Sequence, residues 1–334
     1  MKDGHGRTID YLRVSLTDRC NLRCIYCMPE EGVDQVGHDE ILRIEEIEQL
    51  IRVATRIGIK SVRLTGGEPT VRKGVVDLIR NVSAMPEIEN VSMTTNAILL
   101  PRMADDLREA GLSRVNISLD TLDRDQFFFI TRRDDFDKVM EGIDAALAAG
   151  FNPVKINAVA VRQLNQDFLA FAKLSIDRPL HVRFIEYMPV GTSSGVDGNG
   201  WGPDDVISCE ELREIINERA VAEGLEPLQP VGADGKPIGW GPAQYYQFPG
   251  ALGTVGFISP VSRHFCSECN RLRLTADGKL RPCLFSDVEF DVKTALREGG
   301  EEAAYKVFLE ALGEKPDEHH DKVGTERNMY QIGG

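Results

Sequence analysis

The chain has 334 residues, 42% of them hydrophobic and 28% charged, enough for one large α/β domain or two smaller ones. Acidic residues outnumber basic ones 53 to 39, a formal net charge of −14 that argues against holding nucleic acid on a broad basic surface. No run approaches the roughly 18 apolar residues of a membrane span. The opening "MKDGHGRTIDYLRVSL" lacks the apolar centre of a secretory signal, so no membrane attachment and a cytoplasmic address are expected.

From residue 10 to about 187, short β-type runs alternate with longer runs of helical period, the pattern of repeated βα units. The first strand is expected at 11–16, and the loop after it, "TDRCNLRCIYC", places Cys20, Cys24 and Cys27 in the spacing C-x3-C-x2-C. A helix carrying Ile44, Ile47, Leu50, Ile51, Ala54 and Ile57 on one face follows, ending at Gly58. The second strand, 61–65, runs into "GGEP", where Gly66 and Gly67 either let the backbone approach a ligand or make a tight turn into a helix. Strands at 91–95, 114–119, 154–160 and 181–187 complete a set of six, with helices ending at Gly111 and Gly150 between them. Six parallel strands with intervening helices predict an α/β fold, an incomplete barrel of the TIM type whose chemistry lies at the C-terminal ends of the strands. An open doubly wound sheet is the alternative, but the dinucleotide fingerprint is missing after the first strand.

After Met188 a glycine-rich connection divides the chain into an expected barrel, 1–190, and a smaller α+β subdomain, 191–334. The second part should hold a helix near 209–223, β-type runs near 244–258, a cysteine loop at 266–283 and a helix near 300–312. Its polar last twenty residues have the composition of a frayed tail. The cysteine loop contains Cys266, Cys269 and Cys283 in the spacing C-x2-C-x13-C. Cys209 stands apart, on an amphipathic run where an inert helix position is expected.

Seven cysteines in a reducing compartment are not expected to pair as disulfides, and two groups of three point to metal or catalysis. Structural zinc prefers four closed ligands, which the first loop lacks, while the second could borrow His264. A redox pair of Cys24 and Cys27 leaves Cys20 unexplained. A cubane iron–sulfur cluster on three cysteines leaves one iron open to another ligand. Arg271 and Arg273 alternate along a β-type run and can point the same way. With Arg13, Arg63, Lys155 and Arg183 on other strands, they could offset the overall acidity locally and attract a polyphosphate.

C-x3-C-x2-C with Tyr26 before its last cysteine, followed by GGEP on the next strand, resembles the radical S-adenosylmethionine superfamily. The second triad within "FCSECNRLRLTADGKLRPCLF", the run "RFIEYMPVG" and the terminal "GG" resemble its molybdenum-cofactor branch, whose members cyclise GTP. That resemblance implies two 4Fe–4S clusters, one on Cys20, Cys24 and Cys27 and one on Cys266, Cys269 and Cys283. The first would activate S-adenosylmethionine, with Tyr26, Gly67, Ser118 and Met188 as contacts; the second would bind the guanine end of GTP. Arg13, Arg63, Thr94, Lys155, Arg271, Leu272 and Arg273 match the branch's GTP contacts. Gly333 and Gly334 match a tail that reaches into the active site and is needed for activity, and Arg183 matches a strand arginine of open role. The implied chemistry is abstraction of hydrogen from C3′ of the ribose and attack of the carbon radical on C8 of guanine. An external one-electron donor, a following enzyme that forms cyclic pyranopterin monophosphate, and a homodimer are implied as partners. A peptide-modifying radical enzyme is the rival, although such enzymes usually carry more C-terminal cysteines. Phe127 to Phe129 depart from the pattern, in a stretch expected to be more basic.

Overall fold

The computed structural model describes residues 1–33, 37, 39–188, 201–232, 235–239, 241–318 and 325–333. Six strands, β1 (Tyr11–Ser15), β2 (Ser61–Thr65), β3 (Asn90–Thr95), β4 (Arg114–Ser118), β5 (Val154–Ala160) and β6 (Leu180–Glu186), lie side by side in chain order. Every neighbouring pair among them is parallel. The connections carry α1 (Ile44–Thr55), α2 (Val75–Ser83), α3 (Leu100–Glu109), α4 (Arg124–Thr131), α5 (Phe136–Ala148) and α6 (Phe168–Asp177). Their apolar stripes meet the outer face of the sheet; α1 buries Ile47, Leu50, Ile51 and Ala54, the stripe its sequence period marks out.

Successive side chains of a strand point to opposite faces. In β1, Leu12 and Val14 join the apolar core while Tyr11 and Arg13 turn inward, and in β2 Val62 and Leu64 flank an inward Arg63. Parallel strands packed on both faces normally read as continuous apolar runs. Here the alternation of apolar with Arg, Lys, Ser and Asn marks an inner face built to line a polar cavity.

Among the described residues, the C-terminal part forms no sheet of its own. It adds β7 (Gln229–Pro230), β8 (Gln244–Gln247), β9 (Thr254–Ile258), β10 (Arg271–Leu274), β11 (Lys279–Arg281) and β12 (Phe290–Asp291) to one 12-stranded sheet, ordered β12-β11-β10-β1-β2-β3-β4-β5-β6-β9-β8-β7. β10 pairs parallel with β1, and β9 pairs parallel with β6. Both edges of the barrel strands, which would otherwise expose unpaired backbone groups, are thereby covered, and the ladder remains open, as an incomplete barrel requires. The β1 register aligns Arg273, Arg13 and Arg63 in one row across β10, β1 and β2.

The helix expected at 209–223 is α7 (Cys209–Ala222), started by the Ser208 hydroxyl accepting from the Glu211 amide. The helix expected near 300–312 is the second piece of α8 (Val292–Gly313), in which two helices meet at Gly300, whose φ of +67° is not helical. A short α9 (Met329–Ile332) lies in the tail, with Ile332 buried against Phe285 and Met188 alongside. The tail's polar composition suggested fraying; one apolar anchor docks it. Of the glycine-rich connection, 189–200 lies outside the described residues. Phe127 packs edge-on against Phe136, whereas Phe128 and Phe129 are exposed. No helix among the described residues is long and apolar enough to cross a membrane.

Candidate active site between two cysteine triads

The inner face encloses a cavity of about 350 Å³ that both cysteine triads line. All seven cysteines are free thiols. Among the described residues, no three His, Cys, Asp or Glu side chains stand close enough to share a single metal ion. His264, the residue that could complete a fourth ligand at the second triad, has its Nδ1 3.2 Å from the Pro260 carbonyl. Thiolates on different irons of a cubane stand further apart than ligands of one ion, and three of them leave one iron open. The triads fit that group.

The first triad is held against GGEP by backbone. The Gly67 amide donates to the Thr17 carbonyl at 2.7 Å and the Glu68 amide to the Arg19 carbonyl at 2.8 Å. A Cβ on Gly67 would stand 2.4 Å from the Arg19 oxygen, so only glycine permits this approach. The buried Glu68 carboxylate accepts from Thr70 and Thr95 hydroxyls and from the Asn96 amide, tying β2 to the end of β3. The Asn96 side chain in turn donates to Asn21 at 2.7 Å and lies 3.7 Å from the Cys20 sulfur. The Tyr26 hydroxyl donates to Asp120 at 2.5 Å, and its ring stacks on Trp201 at 6.0 Å. Burial, with Glu68 nearby, pushes the Cys20 thiol up to about 11; burial and Cys20 push Cys27 up to about 12. Acidic surroundings of this kind favour the oxidised state of a cluster bound there. Gly67→Ala should displace the cysteine loop and cut 5′-deoxyadenosine formation by about a hundredfold, the order expected from an ångström-scale misplacement. Circular dichroism would check that the fold survives; undiminished cleavage would show that the close approach is dispensable.

Between the triads the inner face is cationic. Arg13, Arg63, Lys155, Arg183, Arg271 and Arg273 all line the cavity, with Thr94 and Ser118 among them. Arg63 and Arg271 flank the Tyr11 ring at 5.7 and 5.9 Å. Arg183 is held by Asn157, with Nε 2.9 Å from Oδ1, and Lys155 donates to the Ile238 carbonyl at 2.8 Å. Burial and three cations, Arg183, Arg63 and Arg114, bring Lys155 down to about 6; burial and Arg271 bring Arg273 down to about 10. The buried Arg271 Nε finds no hydrogen-bond partner among the described residues. Cations crowded together in this way favour the binding of an anion, and a polyphosphate suits them.

A pH dependence follows. An anion bound beside Lys155 raises its proton affinity, so the lysine's share of binding is complete below about pH 6 and is lost as pH rises through the bound-state value. GTP binding near neutral pH should therefore take up a proton at this site, and affinity should fall by up to about tenfold per pH unit. Calorimetry in buffers of different ionisation enthalpy measures the uptake. Lys155→Arg, charged throughout, should remove it; equal uptake in both proteins would refute the role of Lys155.

The second triad sits where β10 and β11 meet the tail. Arg273 donates to the Gly333 carbonyl at 2.9 Å. Gly333 has φ +70°, and a Cβ there would lie 2.5 Å from the Thr65 hydroxyl. Gly334 lies outside the described residues. Burial raises Cys269, but Lys315 and Arg271 outweigh it and leave the thiol below its ordinary value, the reverse of the first triad.

The Leu272 side chain is fully buried in the apolar core, because alternation on β10 turns it outward between Arg271 and Arg273; only its main chain could face a nucleotide. Met188 lines the cavity, and Cys209 is buried at the start of α7, its sulfur 3.3 Å from the Ile258 carbonyl, away from both triads. Sequence reasoning passed over Tyr11, Asn157 and Asp120, although each sits at or beside an inward strand position. Asn96 and Lys315 had no such signal.

Two family descriptions match the sequence: "Radical SAM superfamily" over residues 14–174 and "Molybdenum Cofactor Synthesis C" over residues 180–321. Curated proteins called GTP 3′,8-cyclase from Pelotomaculum thermopropionicum and Moorella thermoacetica are each 51% identical over 338 residues, covering 100% of both chains. That from Petrotoga mobilis is 50% identical with the same coverage. Among solved structures, Streptococcus suis SuiB bound to S-adenosylmethionine superposes with a TM-score of 0.58 at 17% identity, covering 89% of this chain and 66% of that one. Native anSMEcpe with bound AdoMet gives 0.58 at 17% identity, covering 94% and 82%. At such identities these two likenesses speak for the fold alone.

Proposed function

This chain belongs to the GTP 3′,8-cyclases of the radical S-adenosylmethionine superfamily, and from that premise we propose how its residues divide the work. The reaction converts GTP to (8S)-3′,8-cyclo-7,8-dihydroguanosine 5′-triphosphate, the first step of molybdenum cofactor biosynthesis, with S-adenosylmethionine and iron–sulfur clusters as cofactors. When bound, the clusters supply the electron that releases the 5′-deoxyadenosyl radical and an open iron for the guanine. The observation that carries the residue assignment is the shared cavity: both triads line one space, with the cations between them.

Residues 1–190 bind S-adenosylmethionine: Cys20, Cys24 and Cys27 hold the first cluster, and Gly67, Tyr26, Ser118 and Met188 shape the site beside it. Residues 191–334 contribute Cys266, Cys269 and Cys283 for the second cluster, and Arg271 and Arg273 for the nucleotide. Arg13, Arg63, Thr94 and Lys155 hold the rest of GTP from the barrel strands. Arg183, fixed by Asn157, faces the same space and orients the substrate. The chain's own task is to hold the reacting atoms together and keep water out.

The electron must come from outside, so a one-electron donor is part of this proposal, as is delivery of the product to the enzyme forming cyclic pyranopterin monophosphate. The free cysteines favour a reducing, cytoplasmic setting, and motif resemblance supports a homodimer. Anaerobic reconstitution followed by iron counting and incubation with GTP, dithionite and S-adenosylmethionine tests the assignment. About eight irons per chain are expected, two four-iron cubanes on three thiolates each, together with GTP-dependent 5′-deoxyadenosine. Tightly bound zinc, or cleavage indifferent to GTP, would overturn it.

A further inference from the structure

Directly after α8, in a stretch whose sequence reads as solvent-exposed, Lys315 is only 3% exposed. Its ammonium reaches three acceptors: the Cys269 sulfur at 3.5 Å, the Arg271 carbonyl at 2.8 Å and the Pro282 carbonyl at 2.7 Å. An ammonium has three protons, so these acceptors occupy all of them. A buried cation is costly unless an anion balances it. Of the three acceptors only the sulfur can carry negative charge.

The acceptors also lie on different arms of the second triad. Cys269 ends the C-x2-C arm, Arg271 opens β10, and Pro282 precedes Cys283 after β11. The other cysteine of the C-x2-C arm is fastened by Arg7, which donates to the Cys266 carbonyl at 2.8 Å, to the Asp317 carbonyl at 2.7 Å and to the Pro316 carbonyl at 2.6 Å. Residues 315–317 thus brace all three cysteine positions from behind. At the first triad, by contrast, the donors to the Cys20 sulfur are the Leu22 amide and the Asn96 side chain, both neutral.

We propose that Lys315 is a positioning residue of the second cluster, locking its two arms together and, through charge and an N–H···S bond to Cys269, raising that cluster's reduction potential. A positive charge and a donor at a ligand sulfur stabilise the reduced, more negative cluster. The two clusters then differ in potential by design: the first, near Glu68 and Asp120, is the stronger reductant suited to cleaving S-adenosylmethionine. The second stays a binding site that does not compete for that task. This inference rests on the assignment of a 4Fe–4S cluster to Cys266, Cys269 and Cys283.

The test is a redox titration of the reconstituted full chain, followed by electron paramagnetic resonance on the GTP-responsive signal, for Lys315→Met and Lys315→Arg. Lys315→Met should retain the irons with the midpoint shifted to lower potential, and Lys315→Arg should restore most of the shift. If Lys315→Met cannot hold the second cluster, the titration is read on Lys315→Gln, which keeps a donor but not the charge. A midpoint equal to that of the unaltered protein in whichever variant keeps its irons overturns the proposal. Loss of the second cluster from both neutral variants overturns it as well, since Lys315 would then be purely structural. Four irons rather than about eight in the unaltered chain would instead overturn the cluster assignment itself.

Discussion

Replacing Arg273 with alanine should weaken GTP binding by at least about thirtyfold and largely abolish cyclisation, while 5′-deoxyadenosine is still released in an uncoupled reaction. Arg273 is the point where nucleotide, second triad and tail converge. It lines the cavity, stands beside Arg13 in the sheet register, and donates to the Gly333 carbonyl. Truncating a buried charge that pairs with a ligand typically costs roughly 2–5 kcal/mol of affinity. Its effect on the empty protein should be opposite in sign. Burial and neighbouring Arg271 already depress the Arg273 guanidinium to about 10, so its removal relieves repulsion, and the thermal midpoint should hold or rise. Arg273→Lys should keep part of the affinity and lose the fork-shaped contact. Equilibrium binding of GTP and thermal melting decide the matter together. A collapse of stability with loss of both clusters would mean that Arg273 is structural and not a ligand.

Removing Gly333 and Gly334 should reduce cyclisation to below about 1% of the intact rate, the scale of loss expected when a positioning group is withdrawn from a preorganised site. The fold should survive, because the tail's apolar anchor is Ile332, which remains packed against Phe285. What disappears is the carbonyl that Arg273 holds and the backbone wedged against Thr65, in a left-handed conformation that favours glycine. Gly333→Ala should reproduce most of the loss without shortening the chain. Product analysis by liquid chromatography, with circular dichroism as the control, measures it; unaltered cyclisation in the deletion would show that the tail only covers the cavity.

Both predictions depend on residues the sequence exposes unevenly. The parallel strands were legible because each keeps an apolar outer stripe. Inward residues such as Arg13, Arg63 and Lys155 were legible because a charge at alternate positions of a buried strand has no packing reason to be there. Leu272 shows what alternation adds to a segment carried over whole: its neighbours face the cavity with their side chains, whereas Leu272 could meet a nucleotide through its main chain alone. The clasping of both barrel edges by β9 and β10 was hidden, because parallel pairing between residues as far apart as His181 and Thr254, or Tyr11 and Arg271, leaves no local signature. Lys315 was hidden for a related reason. Its polar neighbours resemble any solvated tail, and only the return of α8 to the second triad reveals that the residue is buried. Gly333 fell between these cases: composition suggested fraying, resemblance suggested a role, and the docked Ile332 is the physical reason the tail stays in place.

At the centre of this account is one cavity in which the ribose of GTP meets the radical generated beside Cys20, Cys24 and Cys27. The most direct test is to turn the enzyme over with GTP carrying deuterium at C3′ and to weigh the 5′-deoxyadenosine released. Transfer of the label to 5′-deoxyadenosine is the predicted result. Unlabelled 5′-deoxyadenosine formed alongside the cyclised product would contradict it.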